Sequence, residues 1–175
     1  RFLDNIITLN HYLLPQIKKI TTANRKIGLG VMGWAELLIL LEIPYASDEA
    51  VALAEQVMQF IKKESFKASE ELAVERGVFP NWKNSIYSPT NKLRNATCNS
   101  IAPTGTISVI ANTSYSIEPL FALAYNRVGI LGNETQTEIN TLFIEKIKQL
   151  NLWTPEVKNT VLKTGSIENI EIIPD

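Results

Sequence analysis

Gly28-Leu29-Gly30-Val31-Met32-Gly33 matches the G-x-G-x-x-G pattern with which a dinucleotide-binding fold turns from a strand into a helix. How that stretch is read decides the fold class. A phosphate-binding glycine turn has to follow an apolar strand, whereas Ala23-Asn24-Arg25-Lys26 is polar and charged. The glycines fall instead within an apolar stripe of Ile27, Val31, Trp34, Leu38 and Leu41, which predicts a helix over Thr21 to Glu42, ended by Ile43-Pro44. Asp48 stands where a ribose-binding acid is expected, yet Ser47-Asp48-Glu49 reads more simply as a helix N-cap with an acidic first turn. The three glycines are therefore read as permitting close backbone approach, and the chain as helix-rich.

The helical period extends to both sides of this stretch. Phe2, Ile6, Leu9 and Leu13 recur at helical spacing until Pro15 breaks the pattern, with His11 on the polar side as a surface residue. From Ser47 to the C-capping Gly77, a long helix carries Val51, Ala54, Met58, Ile61, Ala68 and Leu72 on one stripe and spaced opposite charges on the others. Residues 78–91 read as an irregular connection in which Phe79, Trp82 and Tyr87 are tacked onto the core, the alternative being that these aromatics line a pocket. Ala96 to Ala102 and Leu120 to Tyr125 have the look of strands. Leu142, Ile144, Ile147 and Leu150 mark a further helix, and Thr154-Pro155 with Gly165 start and stop the last one. The expected organisation is thus one piece over residues 1–175: helical over 1–77, strand-loop-helix-strand over 94–128, and helical over 136–175.

Composition narrows the function classes. The 175 residues are 45% hydrophobic, enough for a sizeable core, and 17 basic residues against 18 acidic leave a net charge of −1. No global basic field exists to hold nucleic acid or an anionic membrane, so any anion must be held by a local site. The longest apolar run, Leu37 to Leu41, is far too short to span a bilayer. One Cys and one His exclude a disulfide framework and a zinc site built from those residues, and a lone thiol suits a reducing cytoplasm. The chain has no initiator Met, opens on Arg1-Phe2-Leu3-Asp4 with its apolar period already running, and stops on Ile172-Ile173-Pro174-Asp175, so both ends read as cut.

The better-placed glycine motif is Ile101-Ala102-Pro103-Thr104-Gly105-Thr106-Ile107-Ser108, which passes from a predicted strand through a tight turn into a helix start. Free N–H groups and the helix dipole attract an anion there. Thr104, Thr106 and Ser108 add hydroxyl donors, and Gly105 lets a phosphate approach the main chain. It is not a Walker loop, since the Gly-Lys-Ser/Thr ending is absent, and an ordinary capped turn remains the alternative. Glu118 is a lone acid without a nameable acid–base partner, and Cys98 reads as a buried, inert thiol.

Taken together, Arg25 to Trp34, Ile43-Pro44-Tyr45, Arg94-Asn95-Ala96-Thr97, Ile101 to Ser108, Ile117 to Tyr125 and Gly165-Ser166-Ile167 resemble, in order, the large catalytic subunit of ribonucleotide reductase. The likeness is closest to the adenosylcobalamin-dependent class II form. It implies an α/β fold, this chain being a helix-rich fragment of a ten-stranded α/β barrel with few strands in the piece. It further implies that Pro103, Thr104, Gly105, Thr106, Ile107 and Ser108 hold the phosphates of a ribonucleoside di- or triphosphate, in an oxidoreductase that supplies deoxyribonucleotides for DNA synthesis by thiyl-radical chemistry. The family's radical loop, Asn-x-Cys-x-Glu, is not present: Asn95-Ala96-Thr97-Cys98-Asn99 has its Cys one place late and no Glu. No catalytic residue and no metal ligand is therefore assigned to this chain. Adenosylcobalamin would be the parent's cofactor with most contacts elsewhere, and a thioredoxin-type protein its reductant. The diiron-dependent subclass is the other radical route. A non-catalytic, mainly helical scaffold, docking through the Ser47–Gly77 helix, is the alternative from a different class.

Overall fold

Arg25, predicted to lie inside a helix, adopts a left-handed φ of 47° and ends one. The computed structural model describes residues 1–130, 134–168 and 170–173, and these fall into two compact units: 1–33 with 46–117, and 34–45 with 118–175. The terminal Pro174-Asp175 lies outside the described residues.

In the first unit, α1 (Phe2–Leu9) and α2 (Pro15–Asn24) precede Arg25, and Pro15 occupies the first turn of α2, where its missing N–H costs nothing. The predicted Thr21–Glu42 helix is thus corrected: it breaks at Arg25 and resumes only at α3 (Trp34–Leu40). Between them Ile27 and Leu29 donate their N–H groups to Thr97 O (3.0 Å) and Cys98 O (2.8 Å), and Ser100 N returns one to Leu29 O (3.1 Å). The glycines explain why the chain is extended here. A Cβ on Gly28 would overlap the Ser100 hydroxyl, and one on Gly30 the Ser100 carbonyl. Close approach was the expected role of these glycines, but between extended segments rather than helices. The predicted strand over Ala96–Ala102 is reduced accordingly to an extended segment with one parallel bridge, Leu29 to Asn99.

The long helix α4 (Asp48–Arg76) starts as predicted, with Ser47 Oγ accepting the N–H of Ala50 at 3.1 Å, and its C-cap is Gly77. A 3-10 turn (Pro80–Asn84) follows, then α5 (Ile107–Ala111). The unit is knotted together by a buried carboxylate. Asp4 Oδ1 accepts from Arg25 Nε (2.7 Å) and Asn95 Nδ2 (3.2 Å), while Arg76 Nη1 (3.2 Å) and Arg94 Nε (3.4 Å) face Oδ2. Asn95 is itself fully engaged: its Oδ1 accepts from Ser69 Oγ, its Nδ2 also donates to Arg25 O, and its N–H donates to Ser69 Oγ. Arg94 Nη1 caps the end of α4 by donating to the carbonyls of Arg76 and Gly77.

The second unit holds α3, an antiparallel hairpin of β1 (Ala124–Ile130) and β2 (Glu134–Ile139), then α6 (Thr141–Gln149) and α7 (Pro155–Thr164). The strand expected over Leu120–Tyr125 begins only at Ala124, and β2 lies partly within the stretch read as helical from 136. The sequence Glu134-Thr135-Gln136-Thr137-Glu138-Ile139 gives no apolar alternation, so it carries little sign of a strand. Its pairing with β1 makes it one. Ala124, Phe143, Ile147, Val157 and Val161 form the buried core of this unit, and Lys146 on α6 pairs with Glu42 after α3 at 2.8 Å.

Candidate functional site

The Pro103–Ser108 loop belongs to the first unit. Its left-handed residue is Thr104, at φ 56°, and not Gly105, whose backbone lies outside that region. A β-branched residue there is strained by about 1–2 kcal/mol, so something must hold it. Thr104 Oγ1 accepts the N–H of Ser116 at 2.8 Å, which ties the loop to a turn twelve residues on, and Thr104 O accepts the N–H of Ser108 at 3.0 Å. Ser108 O in turn accepts the N–H of Thr113 at 3.0 Å.

What the loop leaves open is polar. The N–H groups of Gly105, Thr106 and Ile107 donate to no acceptor among the described residues, as expected of the first N–H groups of a helical turn. A Cβ built on Gly105 meets no atom within 4 Å, so the space over this main chain is clear. Ser108 is fully buried and its Oγ has no hydrogen-bond partner among the described residues, and the same holds for Ser116 Oγ. A buried hydroxyl without a partner costs on the order of 1–3 kcal/mol. No Lys or Arg occurs between Ile101 and Ile117, so the loop itself offers an anion only N–H and O–H groups. The helix start adds less than the sequence suggests, because α5 is only five residues long.

The other residues singled out in the sequence are not gathered at this loop. His11 is exposed between α1 and α2, and Glu118 is exposed. Cys98 is buried; burial pushes its thiol pKa up and a hydrogen bond with Ser69 offsets this only in part, which suits an inert thiol. Among the described residues no group of three His, Cys, Asp or Glu side chains could hold a metal ion, and no helix is long and apolar enough to cross a membrane. The return turn Asn112 to Ser116 escaped the sequence reading. Its polar run carries no pattern, and its left-handed residues are Asn112 (φ 51°) and Ser116 (φ 44°) rather than glycines.

Comparison with known proteins gives a consistent family. The model of the ribonucleotide reductase barrel domain matches residues 1–92 and 89–175. A vitamin B12-dependent ribonucleoside-diphosphate reductase of Thermoplasma acidophilum is 52% identical over 173 residues, covering 98% of this chain and 22% of that protein. Its namesake in Mycobacterium tuberculosis is 41% identical over 174 residues, with 99% and 25% covered. Among solved structures, the alpha subunit of a class Id ribonucleotide reductase of Actinobacillus ureae matches with a TM-score of 0.80 at 25% identity, covering 99% of this chain and 32% of that one. The chain therefore spans about a quarter of the length of the curated relatives it matches.

Proposed function

The chain belongs to the ribonucleotide reductase barrel-domain family, and from that premise we propose that it is part of a reductase converting ribonucleoside diphosphates to deoxyribonucleotides, to which it supplies the substrate-phosphate loop Pro103 to Ser108. One observation carries the loop assignment: the N–H groups of Gly105, Thr106 and Ile107 have no acceptor among the described residues and the space over Gly105 is clear, while the buried Ser108 hydroxyl next along the loop also lacks a partner among them. A diphosphate would satisfy them. The N–H groups of Gly105, Thr106 and Ile107 and the hydroxyls of Thr106 and Ser108 donate to phosphate oxygens, and charge-assisted bonds of this kind are about twice as strong as neutral ones. Pro103 has no N–H to give and shapes the entry. Anchoring the phosphates fixes where the ribose stands, which is this segment's contribution to the rate.

The chemistry on the ribose belongs to residues elsewhere in the parent. In this reading a thiyl radical takes the 3′-hydrogen and a cysteine pair reduces the 2′-position, later restored by a thioredoxin-type reductant in the cytoplasm. The relatives' names point to adenosylcobalamin as the radical source. The described residues do not fit that group: the single His is exposed on a link, the single Cys is buried, and the groove lined by Asn126, Thr137, Ile139, Lys158 and Leu162 is open and carries a lysine. The scaffold alternative has lost its support, because α4 lies inside the family match.

Gly105→Val in the full-length reductase tests the loop. A Cβ at this position has no atom within 4 Å, so the fold is expected to survive while the clear space is filled. The expected result is a rise of about tenfold or more in substrate KM, equivalent to about 1.4 kcal/mol of binding. Unchanged KM would remove the loop assignment.

A further inference from the structure

We propose that Gly33 and Ser116 are positioning residues of the phosphate loop, acting through the return turn Asn112–Ser116; this rests on the loop assignment made above. The link can be followed bond by bond. Gly33 N donates to Ser114 O at 3.0 Å, which fixes the turn to the glycine segment, and Ser116 N donates to Thr104 Oγ1 at 2.8 Å, which fixes the turn to the loop. Both partners of the second bond sit in an unfavourable conformation. Thr104 (φ 56°) and Ser116 (φ 44°) are non-glycine residues in the left-handed region, and such conformations persist only where the surroundings over-determine them. Gly33 is also left-handed (φ 79°), and a Cβ there would overlap Thr113 Oγ1, inside the same turn. The third glycine of the false dinucleotide motif thus has a use of its own. It lets the extended segment come close enough to hold the turn that holds Thr104.

Two consequences follow for Thr104. Its hydroxyl oxygen is occupied by an internal donor, so its first task is to hold the loop's shape, whereas the buried Ser108 hydroxyl has no partner among the described residues. Disturbing the turn at Gly33, away from the loop, should then weaken substrate binding without touching the chemistry.

The test is steady-state kinetics on the full-length reductase with a ribonucleoside diphosphate. Gly33→Ala is expected to raise KM at least fivefold with kcat within twofold of wild type. The double variant Gly33→Ala/Thr104→Val is expected to be no worse in KM than Thr104→Val alone, because both cut one link. An unchanged KM in Gly33→Ala, or KM effects that multiply in the double variant, overturns the proposal. Should Gly33→Ala not fold, amide hydrogen exchange decides: the Ser116 N–H is expected to exchange at least tenfold faster in the near-isosteric Thr104→Val than in wild type, and equal exchange overturns the link. Gly105→Val separates the two readings. If it raises KM while Gly33→Ala does not, the positioning role alone fails; if neither changes KM, the phosphate loop itself fails.

Discussion

Asp4 has no solvent access, and its carboxyl group faces three guanidinium groups, from Arg25, Arg76 and Arg94. Burial alone would raise its pKa above the ordinary 3.8, but the hydrogen bond and charge of Arg25, the charge of Arg94 and a hydrogen bond from Asn95 together hold it below that value. Removing one partner of a buried ion pair leaves the other uncompensated and costs about 3–5 kcal/mol. Asp4→Asn is therefore expected to lower the Tm of the full-length reductase clearly; an unchanged melt would show the knot to be dispensable. The pH dependence has a definite sign. A carboxyl whose pKa is lower in the folded state stabilises fully above its unfolded value, near pH 4, and that contribution fades as pH falls through the folded value. The gap in Tm between wild type and Asp4→Asn should accordingly narrow in acid. None of this was legible in the sequence, where Asp4 is one acid on an apolar stripe and its partners lie 21, 72 and 90 residues away.

Among the elements, α7 was the most legible. Thr154, Pro155 and Gly165 each carry a local reason for their place: Thr154 Oγ1 accepts the N–H of Val157 at 3.3 Å, Pro155 fills the first turn, and Gly165 ends the helix at φ 71°. Thr154→Ala should destabilise by about 1 kcal/mol. Gly165→Val should do so by more, since a left-handed non-glycine costs about 1–2 kcal/mol and a Cβ there comes within 3.1 Å of both Ala122 Cβ and Ala124 O. Thermal melts check the order of the two variants, and equal shifts would contradict the crowding at Gly165. The break at Arg25 was not legible, because Ile27, Val31 and Trp34 keep a helical period through a segment that is extended. Pairing with Thr97–Ser100 outweighs the local period there, and that partner is about 70 residues distant. The polar β2 strand was missed for the same reason: its conformation is set by β1.

At the scale of the whole molecule, the family was readable because short motifs recur in order along the chain, and the match spans residues 1–92 and 89–175. The sequence also singled out Pro103 to Ser108 as the phosphate loop, which stands as a proposal, and it did not foretell the loop's geometry. The sequence pointed to Gly105 as the turn and to a helix dipole as the attraction; the strained residue is Thr104, and the helix that follows the turn has only five residues. The central claim is that Thr104 to Ser108 receives the substrate's phosphates. A structure of the full-length reductase with a bound ribonucleoside diphosphate tests it most directly. The account predicts phosphate oxygens within hydrogen-bond distance of the N–H groups of Gly105, Thr106 and Ile107 and of the Ser108 hydroxyl. A diphosphate seated elsewhere, with those donors still unmet, would contradict it.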